Sequence, residues 1–145
     1  MIIYYLLLLI PSYFSLTRGV SKLSTNASIA VWAILTFLIG FRFEIGADWF
    51  HYDFIYSQLK YRTFLDGLSS GGGDIFYSAL SWFLAQSGFS FYLLNLICAA
   101  IFSYGLIFFC NRLPRPWLAL AISIPFLVIV ASMGYTRQAV ALGLL

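Results

Sequence analysis

The chain has 145 residues, 62% of them hydrophobic and only 9% charged, with a mean hydropathy of +0.93. A soluble domain carries about 25% charged and about 45–50% apolar residues, so a soluble globular domain is excluded. The net charge of +3 and the sequence pI near 9.0 come without a basic cluster, which excludes a nucleic-acid footprint and fits short basic loops beside membrane spans.

At roughly 20 apolar residues per crossing, this length predicts an all-α, polytopic transmembrane helical bundle of about four to five spans forming a single membrane domain. The ten Tyr and four Trp suit the boundary between lipid and water. The opening MIIYYLLLLI lacks a basic leader and a small-residue cleavage site, so it starts an uncleaved first span over 2–16, kinked at Pro11. A polar stretch with Arg18 and Lys22 separates it from a second, short span over 27–41.

The character then changes. Segment 42–88 holds all five acidic residues and the only His. Within it, helical spacing puts Trp49, Tyr52, Tyr56 and Leu59 on one face, with Asp48 as N-cap. The run GLSSGGGD, 67–74, reads as a flexible connection. IFYSALSWFLAQ, 75–86, reads as an apolar helix about 18 Å long, too short to cross alone and therefore interfacial or re-entrant. Further spans are predicted over 89–110 and 117–132, joined by a tight basic turn with Arg112 and Arg115, and a helix from 136 onward follows a break at 133–135. Cys98 and Cys110 are about 18 Å apart along one helix and cannot bridge each other. The final VALGLL carries no stop signal, which predicts the N-terminal part of a larger membrane protein.

Short basic loops stay cytoplasmic. Arg18, Lys22, Arg112 and Arg115 therefore mark the inner side. The N-terminus, the 42–88 loop, Arg42 and Arg137 then face outward.

Two clusters can carry chemistry. In FRFEIGADWFHYD, 41–53, Arg42 ends the second span and Glu44, Asp48, His51 and Asp53 follow; such residues at a membrane boundary are costly and functional sites retain them, although snorkelling and capping also account for them. In GYTRQAVALG, 134–143, Thr136 as N-cap places Arg137 in the first helical turn, where a cation opposes the helix dipole. An anion held by the guanidinium and free N–H groups explains that placement, and so do lipid head groups. Ala139 and Gly143 give a small-residue face suited to close helix packing. The Gly71 to Gly73 run lacks the Lys-Ser/Thr of a P-loop. One His with no ligand spacing makes no metal site, and the Ser and Thr residues near His51 do not suggest a triad.

Arg42 followed by Gly46-x-Asp48-x-x-x-Tyr52, and later Arg137-Gln138-x-x-Ala141, together resemble the EpsG family of Wzy-type polysaccharide polymerases over essentially the whole chain. The resemblance implies a metal-independent, cofactor-free, inverting glycosyltransferase of the cytoplasmic (inner) membrane. It would transfer polyprenyl-diphosphate-linked oligosaccharide repeat units to a growing exopolysaccharide, capsule or O-antigen chain on the outer face. Flippase and chain-length regulator proteins are the implied partners. On that reading Arg42 and Arg137, with Gln138, hold the diphosphate. Asp48, then Glu44 or His51, acts as base toward the acceptor hydroxyl. Trp49 and Tyr52 stack on sugars or anchor an interfacial helix. An O-antigen ligase-like transferase, a transporter or flippase subunit, and a structural membrane subunit are the competing readings.

Overall fold

The structure, a computed structural model, describes residues 2–18, 21–45, 49–70 and 75–144. Among the described residues all regular structure is helical. The helices are α1 (Ile2–Arg18), α2 (Thr25–Gly40), α3 (Trp49–Leu59), α4 (Phe64–Ser70), α5 (Ile75–Gln86), α6 (Phe91–Arg112), α7 (Pro116–Ser123, continuing as a π-helical stretch over Ile124–Ser132) and α8 (Thr136–Leu144).

Local chemistry sets most boundaries. Ser24 caps α2 by accepting from the Ala27 N–H at 3.3 Å, and Ser90 caps α6 by accepting from the Tyr92 N–H at 3.4 Å. Arg112 closes α6, where a cation suits the dipole, and stacks on Phe108 at 4.0 Å. Pro116 opens α7, where its missing N–H removes no bond. Pro125 has the opposite effect. Inside a helix its missing N–H opens the hydrogen-bond ladder, and α7 continues in the wider π register, with the Met133 N–H reaching the Val128 carbonyl.

Cross-contacts fix the helix directions. Phe14 of α1 packs on Trp117 at the start of α7, ring centroids 4.7 Å apart. Asn111 at the end of α6 donates to Ser28 near the start of α2 at 3.2 Å, and Trp32 donates to the Ala100 carbonyl at 3.0 Å. The chain therefore runs α1 down, α2 up, α6 down and α7 up. α8 then descends beside α6, with Gly143 against Phe102. A Cβ at Gly143 would lie 2.6 Å from the Phe102 Cα, so the small-residue face at Ala139 and Gly143 does pack backbone to backbone. The layer of α3, α4 and α5 joins the end where α6 and α8 begin, with Trp49, Tyr52, Tyr56, Leu59, Tyr77, Leu84, Phe91, Leu94 and Val140 forming its core.

Large apolar side chains face outward as well as into the core, and several polar ones are buried. Thr36, Arg42, Asn95, Ser103, Ser132 and Thr136 are buried, while Tyr5, Leu9, Leu16, Phe37, Tyr104, Phe109 and Ile122 face outward. Among the described residues one helix, α6, is long and apolar enough to cross a membrane; the apolar helices Ile3–Thr17, Thr25–Gly40 and Pro116–Ser132 are shorter. The predicted flexible connection is corrected in part, because Gly67 to Ser70 complete α4. A Cβ on Gly67 would stand 2.8 Å from Trp82, so glycine there serves close packing of α4 on α5; Gly71 to Asp74 lie outside the described residues.

Candidate functional site

Arg42 follows directly on the α2 C-cap Phe41. Gly40 brings α2 so close to α6 that a Cβ there would lie 2.8 Å from the Leu96 Cα. That approach carries Arg42 into the junction of α2, α6 and α8, where it is 4% exposed. A buried guanidinium requires hydrogen-bond partners. Nη1 donates to the Ser132 carbonyl at 2.6 Å, at the end of the π stretch, and Nη2 donates to the Thr136 hydroxyl. Nε finds no partner. Burial holds the pKa of Arg42 below the ordinary guanidinium value, opposed by Tyr77, Cys98 and Tyr52. The surrounding void, lined by Ile39, Asn95, Cys98, Ser132 and Thr136, leaves no room for a water molecule.

Arg137 is the next residue after Thr136 and stands half-buried in the first turn of α8. Its Cζ lies 5.1 Å from the Tyr52 ring centroid and 5.3 Å from that of Tyr77, a double cation–π contact. Tyr77 comes from α5 and Tyr52 from α3, so three helices meet on one guanidinium. Burial pushes the Tyr77 phenol above its ordinary pKa, and the Arg137 charge pulls it back. A cavity of about 20 Å³ lies here, lined by Tyr52, Tyr56, Tyr77, Ser78, Ser81 and Arg137, space for about one water molecule.

The arginines, 95 positions apart in sequence, thus meet at one helix start, and Tyr52 and Tyr77 act on both. Trp49, Tyr52, Tyr56 and Leu59 are the buried face of α3, the face that their spacing predicts. An anchoring role for Trp49 and Tyr52 in lipid is corrected, because both turn inward, Trp49 onto Phe91 and Tyr52 toward Tyr77. The N-cap expected of Thr136 is corrected too. Its hydroxyl accepts from Arg42, and the carbonyl of Tyr135 receives the Ala139 N–H at 3.0 Å. A buried cation outcompetes a local amide for that oxygen.

Gln138 is exposed. Glu44 and His51 are exposed and line neither void; Glu44 adopts a left-handed φ of 52°, an uncommon conformation for a non-glycine residue. Asp48 and Gly46 lie outside the described residues. Among the described residues no three His, Cys, Asp or Glu side chains are grouped to hold a metal ion.

Sequence reasoning missed Tyr77 and Asn95. Asn95 is the one carboxamide before Asn111 in the apolar run of α6, and Tyr77, Ser81, Leu84 and Ala85 follow helical spacing in α5. Those were the available signals.

The family model of the EpsG family matches residues 25–145, which takes in both arginines and everything around them. The chain belongs to the EpsG family. EpsG proteins are membrane proteins of polysaccharide biosynthesis and, at family level, polymerases of glycosyltransferase type. No curated protein and no solved structure matches the chain.

Proposed function

We propose that this EpsG protein binds a polyprenyl-diphosphate-linked oligosaccharide and transfers the repeat unit to a growing surface polysaccharide on the outer face of the cytoplasmic membrane. One observation carries the reading: the Arg42 guanidinium rests on Thr136, the residue before Arg137, so two cations serve one locus at a helix start. In the transfer, an acceptor hydroxyl attacks the anomeric carbon with inversion. The carbon–oxygen bond to the diphosphate breaks, and the leaving diphosphate gains negative charge. Fixed cations stabilise that charge as it develops. Arg137, half-buried, meets the diphosphate with Gln138 beside it, while Arg42 adds charge from beneath. Metal is not required for this step on the proposed reading.

Asp48 is the proposed base, with Glu44 or His51 as substitutes from the same 42–53 stretch. Tyr52 and Trp49 shape the floor under the sugar. The apolar exterior supports residence in a bilayer, with α1, α2, α6 and α7 as crossing elements and α8 as the start of a fifth. Arg42 and Arg137 sit at the end of the helix layer opposite Arg112 and Arg115, and the positive-inside rule then favours an outward-facing site. Replacing Arg137 by Ala is expected to abolish polymer while single repeat units persist, read on a sugar-chain gel. Normal polymer length in that variant would refute the reading.

A further inference from the structure

The mechanism above leaves Asn95 unused, and its environment is unusual. Asn95 lies in the second turn of α6 and is 2% exposed, yet neither its Nδ2 nor its Oδ1 has a hydrogen-bond partner. Arg42 Nε, on the same void, is also unpartnered. Buried polar groups are paired in the great majority of cases, and each exception calls for a cause. A purely structural amide at a helix crossing pairs with a backbone or side-chain group across the interface; this one does not, though Ser132 and Thr136 line the same void and both engage Arg42. Ser78, on the neighbouring void beneath Arg137, has an unpartnered hydroxyl as well. Of the unpartnered buried groups, Asn95 and Arg42 Nε are two that face one another across a single void.

We propose that Asn95 is a further phosphate-binding residue: its amide and Arg42 Nε form the deep, dehydrated half of an oxyanion pocket whose outer half is Arg137. The inference rests on the function proposed above and deepens it. A phosphate group supplies acceptor oxygens to Arg42 Nε and Asn95 Nδ2 together, and charge-assisted bonds of this kind are stronger than neutral ones. The carboxamide brings no charge of its own, so it grips a phosphate without adding a third cation to an already costly buried cluster. The void is closed to a water molecule. Entry therefore requires α2, α6 and α8, whose residues line it, to move apart.

Inorganic pyrophosphate is the probe, added to the purified full-length protein in detergent, with affinity and thermal unfolding both measured. Wild type is expected to bind and to melt higher with pyrophosphate. Asn95→Leu, close in volume and without polar atoms, is expected to melt at or above wild type without ligand and to bind about tenfold more weakly or worse. Asn95→Asp, which presents a like charge to the anion, is expected to bind more weakly still and covers the case in which the leucine variant does not fold. Wild-type affinity in either folded variant overturns the role of Asn95 and leaves the proposed function standing. A wild-type protein indifferent to pyrophosphate overturns both.

Discussion

Thr136→Val isolates the contact that joins the two arginines. Valine keeps the shape and the β-branch but removes the oxygen that accepts from Arg42 Nη2. Thr136 is 3% exposed and Arg42 4%, so solvent does not replace the lost acceptor. A hydrogen bond to a charged group is worth about 1.5–3 kcal/mol, and the stranded donor adds its own desolvation; a loss of about 2–3 kcal/mol follows. Arg42→Met, which removes the buried charge altogether, is expected to be milder, since buried ions are often replaced by hydrophobes at little loss. In the double variant Thr136→Val should then cost almost nothing. The assay is thermal or denaturant unfolding in detergent for wild type, both single variants and the double, closed as a cycle. Coupling of about 2 kcal/mol is the expected result. Additive effects, or a Thr136→Val protein as stable as wild type, would show that Arg42 does not depend on that hydroxyl.

A Cβ introduced by Gly143→Ala meets the Phe102 Cα at 2.6 Å, so α8 must move off α6; destabilisation of about 1–3 kcal/mol and weaker crosslinking between cysteines introduced on α6 and α8 are expected. The Tyr77 phenol has a raised pKa, caused first by burial. Its neutral form is favoured in the fold, so its contribution is fully present below the ordinary phenol pKa of about 10 and is lost as pH rises toward the folded value. Unfolding followed against alkaline pH should show a decline above about pH 10 that Tyr77→Phe reduces; an unchanged profile would remove Tyr77 from that role.

Local pattern made much of the fold legible. The inward face of α3 and the span of α5, Ile75–Gln86, follow from helical spacing alone. The close crossing at Ala139 and Gly143 follows from two small residues four apart. What the pattern does not carry is the identity of a distant partner. Thr136 has the chemistry of a cap, yet its oxygen goes to a guanidinium 94 positions earlier. Trp49 and Tyr52 have the composition of a lipid-boundary belt, yet α5 and α6 cover them. The meeting of Arg42 with the start of α8 is partly foreseen, because counting crossings puts both at one end. The second-layer residues, Tyr77 and Asn95, are not foreseen, since they matter only through where α5 and α6 come to rest. Residues 67–70 read as a connection because glycine and serine weaken helix propensity, while packing of Gly67 against Trp82 restores the helix.

The widened turn of α7 reaches further than its own length. Through Ile124–Ser132 the carbonyls are bonded in a register one residue longer than usual, so the azimuth at which Ser132 leaves the helix differs from that of a regular continuation. That azimuth decides whether its oxygen meets Arg42 or misses it. A proline ring seven residues upstream, among aliphatic side chains, thereby acts as the alignment shim of the Arg42 guanidinium.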